Sequence, residues 1–173
     1  MTNPGYLDTS AIMRWIEGDV QSPTPINASI APKVDVLIKS KQRLGLSELT
    51  LMEFRANVAK NWRNPGPQFA EFDAAWAERS RTRVMNLLAS GRVEEVVAPS
   101  HAAEHAAMLA DLAARDHEIP LGTWDTVHLI TAAAWAQAEL TKVDLFTSDP
   151  DYGEYLAIYT QFTRLVLICD LSI

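Results

Sequence analysis

Asp8, Glu53, Asp125 and Asp149 each stand at or near the first turn of a helical segment. Carboxylates gathered from separate segments can hold a divalent ion. A site built of oxygen alone favours Mg2+ or Mn2+ over zinc, which prefers His or Cys. Each acid also has a structural explanation. Asp8, with Thr9 and Ser10, can cap the helix that follows it, where the positive helix end suits a negative charge. Thr50-Leu51-Met52-Glu53 reads as a capping box. Asp125 lies in a first turn with His128 one turn on as a possible partner, and Asp149 precedes Pro150 as a helix cap would. Helix ends lower carboxylate pKa values while mutual repulsion raises them, and a bound cation resolves that conflict.

The elements that must position these acids can be read from apolar patterning. A strand is predicted at about 5–8, running into a short helix that stops near Gly18-Asp19. The prolines of Gln21-Ser22-Pro23-Thr24-Pro25 mark a loop. A helix over about 28–43 turns Val34, Leu37 and Ile38 to the core. Leu44 to Ser47 forms a strand, and Thr50 opens a helix whose stripe is Leu51, Phe54, Val58 and Trp62. A long helix follows at about 68–90, with Phe69, Phe72, Trp76 and Leu87 on one side and Gly91 closing it. Next come a strand at 93–98, a helix at about 101–115, a loop at 117–122 and an apolar helix to about Leu140. A strand at 143–147, a helix from Pro150 and a strand at 165–169 complete the chain. Strands alternate with helices, and the strands are short continuous apolar runs. That is the pattern of an α/β, Rossmann-like parallel sheet flanked by helices. In such sheets the strand-to-helix junctions lie on one edge, where ligands bind.

The chain has 173 residues, enough for a single domain over 1–173 that buries about 70% of its unfolded surface. The lone cysteine, Cys169, cannot form an internal disulfide, which points to a reducing, cytoplasmic setting. No apolar run reaches the roughly 20 residues that span a bilayer, so no membrane association is expected. The first residues lack the basic and apolar regions of a signal peptide. A formal net charge of −7 argues against an indiscriminate nucleic-acid binder. It is compatible with a nuclease whose metal neutralises its carboxylates locally.

The sequence resembles the PIN-domain family, most closely the VapC-like ribonuclease toxins of type II toxin–antitoxin pairs. The resemblance is carried by Tyr6-Leu7-Asp8-Thr9-Ser10, by Ser47 to Phe54, by Trp124 to Ala132 and by Leu145 to Tyr152, in family order. It implies that Asp8, Glu53, Asp125 and Asp149 bind Mg2+ or Mn2+ and cleave RNA, with Ser10 and Thr147 as supporting hydroxyls. It further implies a cognate antitoxin and a homodimer. Extra length at 19–35 and 64–90 departs from a compact toxin, and Trp124 replaces a small residue and would narrow the site.

Three other signals compete. His101-Ala102-Ala103-Glu104-His105 spells the inverted zinc-protease pattern, but the segment reads as a solvated helix without a distal ligand. An aspartate-nucleophile phosphatase needs a second acid at position 10, which is serine. A non-catalytic PIN-like binding module would use the acids as helix caps only and offer the Phe69/Phe72/Trp76 face to a partner, with Arg79, Arg81 and Arg83 as a solvated or partner-facing patch.

Overall fold

The computed structural model of the chain describes residues 2–40, 42–64, 71–118 and 121–173. The five strands are β1 (Gly5–Leu7), β2 (Leu44–Ser47), β3 (Val93–Val96), β4 (Val143–Thr147) and β5 (Val166–Asp170). They form one parallel sheet in the order β3-β2-β1-β4-β5. The helices are α1 (Thr9–Glu17), α2 (Pro25–Lys39), α3 (Glu48–Arg63), α4 (Ala74–Ala89), α5 (Ala102–His117), α6 (Thr123–Glu139) and α7 (Asp151–Ile158).

Period-two alternation along the strands builds two cores. Leu7, Leu44, Leu46, Val93 and Phe146 face one side with Ile12 and Ile16 of α1, Val34 of α2, Phe54 and Val58 of α3, and Trp76 and Val84 of α4. Tyr6, Val96, Val143 and Leu145 face the other side with Leu109 of α5, Leu129, Ala132 and Ala136 of α6, and Tyr152 and Tyr155 of α7. The inner strands β2, β1 and β4 are therefore buried on both faces, which explains why they read as apolar runs, whereas the edge strands β3 and β5 each leave residues exposed. At Gly45 an added Cβ would lie 2.5 Å from Val96 Cγ2 and 2.9 Å from Trp135, so the sheet and α6 approach as closely as a bare backbone permits.

From β1 the chain moves outward through β2 and β3, then crosses back to β4 on the other side of β1. The β1/β4 boundary is therefore the point where connections diverge. Asp8 follows β1 and Ser148-Asp149 follows β4 there.

Several sequence expectations need correction. The second helix spans Pro25–Lys39 rather than 28–43. Pro25 occupies its first position and Thr24 caps it, accepting from the Asn27 amide, so part of the 19–35 stretch is helix. The third helix begins at Glu48 with Ser47 as its cap. Glu53 accordingly lies beyond the first turn, and the Thr50 capping box does not form. Trp62 of the predicted stripe is 41% exposed. The fourth helix begins at Ala74, with Asp73 capping it through the Trp76 amide. Phe72 and Trp76 are buried and stacked with ring centroids 4.2 Å apart, so they offer no face to a partner. The expected Phe69 contribution lies outside the described residues. Arg83 packs 3.9 Å from the Trp15 ring centroid and pairs with Asp19 and Asp35, which makes it an internal clamp. Among the described residues no helix is long and apolar enough to cross a membrane.

Candidate metal centre

Asp8 is the innermost acid, 2% exposed. It is the N-cap of α1, and its Oδ1 accepts from the Ala11 amide at 2.8 Å. Ser10 Oγ donates to the same carboxylate at 2.8 Å, and Thr147 Oγ1 donates to Oδ2 at 2.7 Å. Those hydroxyls are held in turn: Ser10 Oγ accepts from the Ser148 amide at 2.8 Å, and Thr147 Oγ1 from the Asp149 amide at 3.0 Å. Ser10 and Thr147 thus stitch the end of β4 to the carboxylate at the end of β1. Burial pushes the Asp8 pKa up, against the Ala11 bond, His128 and the two hydroxyls.

Asp125 sits in the first turn of α6, where its Oδ2 accepts from the Gly122 amide at 3.2 Å. Burial, then the Asp149 charge, carries its pKa up to about 6, with a further push from Asp8. Asp149 accepts from the Asp151 amide at 2.9 Å, closing the turn that leads into α7. The Tyr152 hydroxyl donates to the Asp125 carbonyl at 3.1 Å. Its pKa is raised by burial and by Asp8, Asp125 and Asp149 together. Tyr152 thus ties the first turn of α7 to the backbone of Asp125, directly after the turn that Asp149 closes.

Glu53 is differently engaged. Its Oε2 accepts from Thr9 Oγ1 at 2.5 Å and faces His128 Nε2 at 2.8 Å, while Oε1 has no partner among the described residues. Half-burial pushes its pKa up, but the bonds from His128 and Thr9 outweigh this and hold it below the ordinary glutamate value. His128 is the partner of Glu53 rather than of Asp125. Its Nδ1 lies 2.7 Å from the Tyr6 hydroxyl, which donates to Ser47 Oγ at 2.7 Å. Burial opposes the imidazolium, yet Tyr6, Glu53 and Asp8 carry His128 up to about 10. This Ser47–Tyr6–His128–Glu53 chain was not found from sequence. Its only signal is a histidine on a helix that is otherwise apolar.

A groove of about 300 Å³ opens beside the acids, lined by Thr9, Ser10, Arg14, Glu53, Asn57 and Asp125 among others. Deeper along its wall, Glu17 is 8% exposed and accepts from Asn27 and Asn61 at 3.1 and 2.9 Å. Burial raises its pKa, against Arg14 and the two amides.

The donor set suits a hard divalent cation: carboxylate oxygens, with mutual repulsion and, among the described residues, no lysine or arginine paired with these acids. The acids are not drawn tight. Among the described residues no three His, Cys, Asp or Glu side chains already stand at ligand spacing. His101, Glu104 and His105 likewise do not stand at ligand spacing. All three are exposed, and His101 lies before the helix as its cap residue.

No family model matches the chain, and no curated protein does. Solved structures do. The chain superposes on one from the DNA-bound VapBC of Salmonella typhimurium with a TM-score of 0.55 and 16% identity, covering 98% of this chain and 99% of that one. FitAcB of Neisseria gonorrhoeae gives 0.51 and 18%, over 94% and 95% of the chains. VapC20 of Mycobacterium tuberculosis, described as a toxin that cleaves the sarcin–ricin loop, gives 0.53 and 13%, over 86% and 92%. At these identities the likeness is one of fold. The chain therefore has the α/β PIN-like fold, a parallel sheet flanked by helices, shared with these solved structures.

Proposed function

We propose that the chain is a metal-dependent endoribonuclease and the toxin of a VapBC-type toxin–antitoxin pair. The observation that carries this reading is the hydrogen-bonded junction at the β1/β4 switch point, where Ser10 and Thr147 tie the Asp8 carboxylate to the Ser148 and Asp149 amides, with Glu53 and Asp125 lining the groove beside it. Asp8, Asp125 and Asp149 would hold Mg2+ or Mn2+, with the free oxygen of Glu53 as a fourth donor. When bound, the ion would polarise the scissile phosphate and lower the pKa of an attacking water. The chain's own residues supply the frame. Ser10 and Thr147 orient Asp8, the Gly122 amide orients Asp125, and His128 with Thr9 fixes Glu53.

RNA is the proposed substrate and an antitoxin the proposed partner. A formal charge of −7 favours association with a basic antitoxin segment. A homodimer and a cytoplasmic setting belong to the same reading. The loose spacing of the acids favours one rival, a PIN-like binding module whose acids serve as helix caps.

Cleavage of defined RNAs by the wild type and Asp8→Asn, with Mg2+, Mn2+ or EDTA, separates the two. Metal-dependent cleavage lost in Asp8→Asn supports the nuclease. Equal cleavage in EDTA, or in the variant, overturns it.

A further inference from the structure

Trp124 differs from the other tryptophans in its surroundings. Trp15, Trp76 and Trp135 are buried, with Arg83, Phe72 and Arg43 as respective neighbours. Trp62 is exposed near the end of α3. Trp124 occupies the first turn of α6 directly before Asp125, is 49% exposed, and has no ring or cation contact among the described residues. It does not stand alone. With Leu49, Met52 and Ala56 of α3 it lines a mainly apolar groove of about 290 Å³, and Met52 is 60% exposed.

That groove is continuous with the one beside the acids, because Glu53 and Asn57 line both. A polynucleotide strand that passes Asp125 and Glu53 and continues into this second groove would meet the indole. The adjoining carboxylates repel phosphate, so the part of a nucleotide suited to this shelf is its base. An aromatic face accepts any unpaired base by stacking, without a hydrogen-bond code. Arg14 lines the groove beside the acids, where it pairs with Glu17 at 3.6 Å and donates to Asn27 Oδ1 at 3.0 Å.

We propose that Trp124, with Leu49, Met52 and Ala56, forms a nucleobase-stacking subsite next to the cleavage centre that selects single-stranded RNA. This rests on the nuclease reading above. It adds a binding determinant outside the acids.

The test is fluorescence anisotropy of a labelled single-stranded RNA on an Asp8→Asn background, where the strand is not cut. Trp124→Ala and Trp124→Phe are compared on intact RNA and on strands carrying one abasic ribose at successive positions. Trp124→Ala should weaken binding roughly 5- to 150-fold, the range for loss of one base–aromatic stack, and Trp124→Phe should restore most of it. One abasic position should reproduce that loss in the Trp124 protein and add nothing further in Trp124→Ala. Unchanged affinity in Trp124→Ala overturns the subsite. So does a loss that is independent of the abasic position, or a requirement for Trp124 in binding an apolar peptide but not RNA. A parallel cleavage assay of the otherwise wild-type chain keeps the two failures apart. Metal-dependent cleavage with no Trp124 effect removes only the subsite, whereas no cleavage at all removes the nuclease reading too.

Discussion

His128 Nε2 lies 2.8 Å from Glu53 Oε2, joining residues 75 positions apart. The Tyr6 hydroxyl donates its only proton to Ser47, so it must receive one from His128 Nδ1. Thr9 donates to Glu53, so both histidine nitrogens face oxygens that can accept, an arrangement that favours the imidazolium.

The sign of the resulting pH dependence follows. The folded pKa of His128, about 10, exceeds the ordinary value of 6.5. Its contribution to stability is fully present below about pH 6.5 and is lost as pH rises through 10. Thermal denaturation from pH 6.5 to 10 should show a falling midpoint in the wild type and a flatter profile in His128→Gln. Parallel profiles would refute the assignment.

Asp125 carries the same sign at lower pH. Its carboxyl is raised from 3.8 to about 6, so its favourable contribution exists below pH 3.8 and disappears as pH passes 6. In EDTA at pH 8, Asp125→Asn should be more stable than the wild type by on the order of 1–2 kcal/mol, allowing for solvent screening of a partly exposed group. Denaturant titration should show that advantage vanish near pH 4. Saturating Mg2+ should raise the wild-type midpoint and leave the variant unmoved.

Asp8 caps a helix and belongs to the proposed metal set, and two substitutions separate the roles. Asn keeps an oxygen for the Ala11 amide, while Ala leaves that amide and two hydroxyls unserved. Both variants should lose RNA cleavage, with Asp8→Ala less stable than Asp8→Asn by about 1–2 kcal/mol in urea unfolding.

Gly45→Ala tests the sheet without touching the acids. The added methyl would press on Val96 and Trp135, and overpacking of this kind costs about 1–3 kcal/mol. A lowered denaturation midpoint with unchanged Mn2+ affinity is the expected result.

Much of this fold is legible from patterning because the inner strands are buried on both faces and most of the helices are amphipathic. Val143 to Thr147 reads as a strand and is one, and Leu44 to Ser47 likewise. Helix ends were harder. Ser47 reads as the end of a strand and is also the cap of α3, and this moves Glu53 out of the first turn. The positions of Asp8 and Asp149 follow from the rule that strand ends share an edge. The pairing of His128 does not, because Asp125, an i, i+3 neighbour on its own helix, is the nearer partner in sequence. Tyr6 and Glu53 reach it from other segments, and no local spacing records that. Trp62 fails for a simpler reason: the stripe runs past the edge of the core.

The central place of β1 has a consequence for how the acids move relative to one another. It is hydrogen-bonded to β2 on one side and β4 on the other, and the Asp8 amide donates to the Phe146 carbonyl at 3.2 Å. Its amides can exchange with deuterium only when the sheet itself separates, whereas the turn carrying Asp149 can open without breaking a ladder. One corner of the group is thus anchored to global unfolding and another to a local equilibrium. Ion affinity would then report the closure of that turn, not the integrity of the sheet.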